Sequence, residues 1–223
     1  LFLVVEYFVG AEAKYCKPHT KSFAVPISLE REDADMLYHI SPQAGLKALQ
    51  PHVSTHKKPY VYAIENMVTG MLFGVRKDDF DFIISTDENR ISTIYECYPD
   101  AFIKKYQGNS CSVYEVEEEG FQRGKTSWSP ELVCEKEVAV VREIFIKDLY
   151  ERLLEEESQG NLRICRYEFR DEYRKKIAAH VVDRIFRFEI DLSLAAERDI
   201  RFATYYKGIV DALSAATDGH LLQ

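Results

Sequence analysis

The chain has no apolar run long enough to cross a bilayer, which takes about 20 residues. Its nearest approach is Leu1–Gly10, LFLVVEYFVG, which is broken by Glu6 and has no basic residue before it. A buried strand is expected there rather than a membrane or targeting segment. Positive charge is also in deficit. With 29 Lys and Arg against 37 Asp and Glu, the net charge is -8 and the pI is near 5.4. This argues against a dedicated nucleic-acid binder, which neutralises phosphates with a basic field. The cations of the C-terminal third, Arg163, Arg166, Arg170, Arg174, Lys175 and Lys176, are interleaved with acids and read as a solvated face.

Cysteine is sparse and badly placed for structural chemistry. Cys16, Cys97, Cys111, Cys134 and Cys165 are odd in number and widely spaced, with no CxxC or CxxH pair, so neither a disulfide framework nor a zinc site is expected. Reduced thiols in a cytoplasmic protein follow from that usage. The chain also has no Gly-rich phosphate loop, no GxSxG and no HExxH, no internal repeat and no low-complexity tract. His52 and His56 are four apart, but Pro51 and Pro59 bracket them, so a loop is expected there and no metal site.

What the chain does have is a hydrophobic fraction of 46% with 14 Tyr and 13 Phe. That is enough to bury a substantial core without cross-links. From Leu37 to about Val141, short apolar runs are divided by turn-forming residues, which is the pattern of strands. Expected strands are 36–40, 59–63, 81–85, 93–98, 112–117 and 137–142, the fifth with one face buried and the other near the surface. Two short helices are expected between them. One spans Pro42 to Leu49 and stops before Pro51, and the other spans Glu65 to Phe73.

After about Lys147 the period becomes helical. Leu149, Tyr150, Leu153 and Leu154 form one stripe, with Asp148 as cap and Gly160 as stop. Tyr173, Ile177, Val181 and Ile185 repeat every four residues, and Leu192, Ala196, Ala203, Tyr206, Val210 and Leu213 continue the tail. The expected class is α+β, with a strand-rich mixed core of two small sheets and short helices followed by a C-terminal helical extension. The expected divisions are an extension over 1–35, a core over 36–147 and helices over 148–223 packed on that core. The abrupt change of character before Met36 suggests a native start at that methionine.

The most distinctive stretch is Leu37-Tyr38-His39-Ile40-Ser41, then Gly45-Leu46, Leu49-Gln50-Pro51, Thr55-His56 and Pro59-Tyr60-Val61-Tyr62-Ala63, then the second helix. It resembles the opening of the ADP-ribosyltransferase-like superfamily, which includes the RNA 2'-phosphotransferases. The resemblance covers roughly residues 37–75 and extends weakly to Trp128-Ser129-Pro130. It implies NAD as cofactor, a nucleotide substrate, either transfer of ADP-ribose or a degenerate relative that only binds a nucleotide, His39 and Ser41 at the ribose, and Tyr60 or Tyr62 stacked on nicotinamide. A planar cationic ring needs a π face, and a ribosyl cation needs a carboxylate nearby. Where the family places its catalytic Glu, this chain has Thr126 and Ser127. Glu131, Glu135 and Glu137 are the nearby alternatives.

A second class of function accounts for the same residues. Tyr60 and Tyr62 suit cross-strand packing, and a lone histidine at a strand end is commonly a hydrogen-bonded structural residue. On that view the chain is a non-enzymatic interaction module, with its C-terminal helices forming a homo-oligomer or partner surface.

Overall fold

The computed structural model describes residues 36–53, 58–78, 80–126, 128–187, 190 and 200–220. The extension over 1–35, His56, Leu192 and Ala196 lie outside them. The fold is mixed α+β with C-terminal helices, and the described residues form three sheets rather than two. The chain divides into two compact units. Among the described residues no helix is long and apolar enough to cross a membrane.

The first unit comprises residues up to Arg76, Asp87–Ser92 and Tyr106–Arg163. Its main sheet has seven strands: β1 (Met36–Ser41), β3 (His52–Val53), β4 (Pro59–Ile64), β7 (Cys111–Glu117), β8 (Gln122–Arg123), β9 (Glu131–Cys134) and β11 (Arg142–Ile146). They run in the order β11-β7-β1-β4-β9-β8, with β3 on β4, and the registered pairs are antiparallel. A two-stranded sheet joins β2 (Ala48–Leu49) to β10 (Val138–Ala139).

Alternation along these strands builds a core from Leu37, Val61, Ala63, Tyr114, Val116, Leu132 and Cys134, with Leu49 and Val138 of the small sheet packed on it. β7 lies between β11 and β1, and Val113 and Tyr114, which point to opposite faces, are both fully buried, so both faces of the strand are covered. The half-surface strand expected from its sequence is therefore a central one.

The expected helix over 42–49 is not formed, because the segment's donors are taken elsewhere. Ser41 Oγ accepts the Gln43 N–H, Glu143 accepts that of Gly45, and Tyr114 Oη accepts that of Leu46. Gly45 has φ +78°, outside the helical region. The second expected helix is shorter, α1 (Met67–Met71), with Asn66 Oδ1 accepting the Thr69 N–H at 2.9 Å. The strand expected over 137–142 is divided between β10 and β11. α3 (Leu149–Ser158) begins at Asp148, whose Oδ1 accepts from the amides of Tyr150 and Glu151, and Gly160 follows it at φ +82°.

Gly74, just past α1, has no room for a side chain. An added Cβ would lie 2.8 Å from Leu149 Cδ2 and 2.9 Å from Cys111 Sγ. Gly74→Ala is expected to lower stability by about 1–3 kcal/mol in urea denaturation. An unshifted midpoint would show that strand and helix yield freely.

The second unit comprises Lys77–Thr86, Thr93–Lys105 and Ile164–Gln223. Its sheet runs β12 (Leu162–Cys165), β6 (Ser92–Glu96), β5 (Phe82–Thr86), and its helices are α2 (Ala101–Tyr106), α4 (Asp171–Arg187), α5 (Ile200–Tyr205) and α6 (Ile209–His220). On α4 the stripe Tyr173, Ile177, Val181 and Ile185 is buried as its period required, joined by Ala178 and Val182. Farther on, Tyr206 is buried, while Ala203 and Val210 are exposed and Phe202 and Ile209 take the inward places.

Cys97, Cys111 and Cys134 are free and buried, and burial pushes the Cys111 thiol up to about 11, which leaves it protonated and unreactive at neutral pH.

Candidate functional site

Strand β4, Pro59-Tyr60-Val61-Tyr62-Ala63-Ile64, sorts its residues by alternation. Val61 and Ala63 enter the core with Leu37 and Tyr114, so Tyr60, Tyr62 and Ile64 occupy the opposite face. The Tyr60 and Tyr62 ring centroids are 5.9 Å apart, edge to face. His52 of β3 is paired with Tyr60 and sets its ring 6.1 Å from that of Tyr62. On the other side β9 pairs with β4 from Ile64↔Glu131 to Val61↔Cys134. One residue farther, Glu135 comes level with Tyr60.

Lys58, Pro59, Tyr60 and Glu135 line a concavity of about 350 Å³. Tyr60 is only 4% exposed, so it serves as wall more than as an open stacking surface, and Tyr62 is half-buried beside it. Lys58 and Glu135 are exposed. The concavity thus has an aromatic wall, an ammonium and a carboxylate.

The three candidate carboxylates separate clearly. Glu131 is registered opposite Ile64, four residues along the chain from Glu135, or about 13 Å if extended. Glu137 accepts a hydrogen bond from Gln50. Of the three, Glu135 is the one at the concavity.

The four residues assigned to NAD are not all brought to one place. His39 and Ser41 alternate with Ile40, which faces Gly70 of α1, and they lie on the Tyr114 face of the sheet. The reason is the period of two, which sends the side chains of β1 that oppose Tyr114 away from the Tyr60 and Tyr62 rings. Ser41 closes the turn after β1 through Gln43.

His39 is nevertheless coupled to the other face through the main chain. The registered pair between β1 and β4 is Tyr38↔Ile64, and beyond it His39 Nδ1 donates to the Tyr62 carbonyl at 2.7 Å. Burial holds the imidazole below its ordinary value, the bond to Tyr62 raises it, and His52 lowers it further. A neutral ring that donates from Nδ1 keeps its lone pair on Nε2.

Some polar centres were not legible in the sequence. Glu143 Oε1 accepts from Ser112 Oγ at 2.6 Å and from the Gly45 amide at 3.0 Å, and these bonds hold its carboxyl below the usual range. In the second unit Glu96 accepts from the amides of Phe102 and Tyr167, each at 2.8 Å. Asp81, fully buried, accepts from Tyr98, Arg201, Lys105 and the Asp78 amide. The local signal at each is a single acid within or beside an apolar run, which does not reveal its partner.

The chain matches no family model, no curated protein and no solved structure. The function is therefore argued from the site.

Proposed function

We propose that the first unit binds NAD at the concavity of Lys58, Tyr60 and Glu135, as a domain of ADP-ribosyltransferase-like type, and transfers ADP-ribose. The observation that carries the reading is that Tyr60 and Glu135, one assigned as an aromatic contact and the other as a candidate carboxylate, line the same concavity. NAD, when bound, supplies a glycosidic bond to a cationic leaving ring. The half-buried Tyr62 ring, held beside the Tyr60 wall, suits that ring. The Glu135 carboxylate suits the positive charge that develops on the ribose as the bond breaks.

In this reading His39 is a positioning residue. It holds the Tyr62 carbonyl, and so the strand that carries both rings, while a ribose contact by His39 or Ser41 belongs to the opposite face and is set aside. A cytoplasmic setting goes with the same reading.

Thermal shift with NAD tests it. Wild-type protein is expected to show a saturable rise in Tm, with the apparent affinity weakened about tenfold in His39→Ala, the loss of one well-placed hydrogen bond. No shift in wild-type protein at about 5 mM NAD would overturn the reading, since binding that weak is worth only about 3 kcal/mol.

A second, non-catalytic role is carried by a separate observation. Ile200 of α5 and Val210 of α6 are 79% and 72% exposed, which favours self-association through the C-terminal helices. Sedimentation equilibrium of wild-type protein and of Val210→Asp tests this second role.

A further inference from the structure

We propose that β11 is a dimerisation strand, along which two copies of this chain pair antiparallel about a twofold axis at Phe145. This interface is independent of the nucleotide reading, and its surface is not that of Ile200 and Val210.

β11 and β8 are the two ends of the main sheet. The outward amides and carbonyls of a sheet edge are a template for another chain, and proteins blunt them with short strands, charges or proline. β8 is blunted in this way, with two residues and with Arg123 tied to Glu65 and Glu118. β11 is longer, Arg142-Glu143-Ile144-Phe145-Ile146, and has no proline. Its one cation, Arg142, is tied back to Glu115 of β7. Phe145 stands on this edge 57% exposed.

The sequence of the edge is complementary to itself. An isologous contact sets residue i against residue j and j against i. With Phe145 opposite its own copy, antiparallel pairing sets Ile144 against Ile146, Glu143 against Lys147 and Arg142 against Asp148. Apolar then meets apolar and acid meets base throughout the segment. A slip of one residue sets Arg142 against Lys147 in one direction, and Glu143 against Asp148 in the other. Only the register centred on Phe145 avoids like charges, so the edge selects a second copy of itself in one alignment.

The charges that this register joins are unspent within one copy. Glu143 accepts from Gly45, Ser112 and Tyr114 through Oε1 alone, and among the described residues Oε2 accepts from none. Lys147 makes no hydrogen bond or ion pair among them either. Arg142 and Asp148 already have partners within the chain, so Glu143 and Lys147 carry the charge match. Alternation puts Glu143, Phe145 and Lys147 on one face. The pairing sets the two Phe145 rings together at the axis with an ion pair on either side. At Asp148 the backbone is still extended, with φ -132° and ψ 109°. One strand edge is a small interface, so the dissociation constant is expected to be on the order of 10–100 µM.

Sedimentation equilibrium of the full chain, from well below to well above that range, tests the inference, with unchanged melting temperatures as the control for folding of the variants. Phe145→Lys and Phe145→Glu each set like charges together at the axis and are expected to weaken association at least about thirtyfold, and an equimolar mixture of the two to restore it. Lys147→Glu is expected to weaken it about tenfold. Under mild oxidation Phe145→Cys is expected to form a disulfide-linked dimer, since directly opposed residues have Cα atoms about 4.5–5.5 Å apart. Val141→Cys is not, although Val141 is as exposed as Phe145, because its two copies lie roughly 25 Å apart in this register.

A wild-type chain that stays monomeric would overturn the inference. Slow hydrogen exchange along β11 would then show that another segment of the chain covers the edge, and fast exchange that the edge stays open. A dimer that survives both Phe145 charge variants and dissociates in Val210→Asp would place association on the C-terminal helices and overturn it too. Failure of the mixture to restore association, or equal cross-linking at positions 141 and 145, would remove the twofold register and with it the inference.

Discussion

Asp81→Ala is expected to cost on the order of 3–5 kcal/mol, the penalty for removing one partner of a buried charge cluster. Asp81 is fully buried, and its two oxygens satisfy four donors. Oδ1 accepts from Tyr98 Oη and an Arg201 guanidinium nitrogen, each at 3.0 Å, and Oδ2 accepts from Lys105 Nζ and the Asp78 amide, each at 2.8 Å. Arg201 also lies over the Tyr98 ring at 4.9 Å. Without the carboxylate, two cations and a phenol lose their common acceptor at once. Asp81→Asn keeps one acceptor oxygen and is expected to cost less than the alanine variant. Denaturant titration gives the magnitude, and hydrogen exchange locates it in the second unit, at β5, α2 and α5. A cost below about 1 kcal/mol for the alanine variant would mean that water replaces the carboxylate as well as the fold does.

Acid is expected to weaken the second unit well before its carboxylates protonate. His180 of α4 has its pKa lowered to about 3 by burial first, then by Arg184, Arg187 and Lys176. Among the described residues its buried Nε2 has no hydrogen-bond partner. The folded pKa is depressed relative to the ordinary 6.5, so the unfolded chain binds the proton more readily. The neutral ring therefore contributes stability that is complete above about pH 6.5 and lost as pH falls from there towards about 3. The limiting slope for one proton is about 1.4 kcal/mol per pH unit, and the part of the ring open to solvent reduces it. His180→Gln is expected to flatten the wild-type curve between pH 6 and 4.5, in stability measured by urea denaturation at each pH. Parallel curves for the two proteins would show that His180 protonates without cost. His39, also held low by burial, adds a smaller slope of the same sign in the first unit.

Periodicity carried part of this structure into the sequence and lost the rest for identifiable reasons. The four-residue stripe on α4 was legible because helical periodicity is local and the segment has four full turns to display it. The Asp148 cap was legible because an N-cap acts within three residues. The expected helix over 42–49 failed because Tyr114 and Glu143, some seventy and a hundred residues away, take its donors. α2 and β12, six and four residues long, were too short to show a period. β9 is likewise only four residues long, yet it decides which glutamate meets Tyr60.

The candidate site shows the same division. Residue type and position point to Tyr60, Tyr62 and Glu135, and equally to His39, Ser41, Glu131 and Glu137. His52 was named only as half of a loop histidine pair, and in the fold it is on β3 beside Tyr60. Nothing in the order of residues states that β9 lies against β4, or that β1 turns His39 away from the rings while its imidazole holds the Tyr62 carbonyl.

By itself the sequence determined the α+β class, the places of the longer helices, the alternation of β4 and the chemical types present. The tertiary structure alone decided which strands are neighbours, which face each side chain takes relative to another strand, and that Lys58, Tyr60 and Glu135 share one hollow. The physical reason is that alternation and helical period are properties of a few consecutive residues. Strand pairing is a contest among all exposed backbone edges, settled by the burial and hydrogen bonding of the whole core.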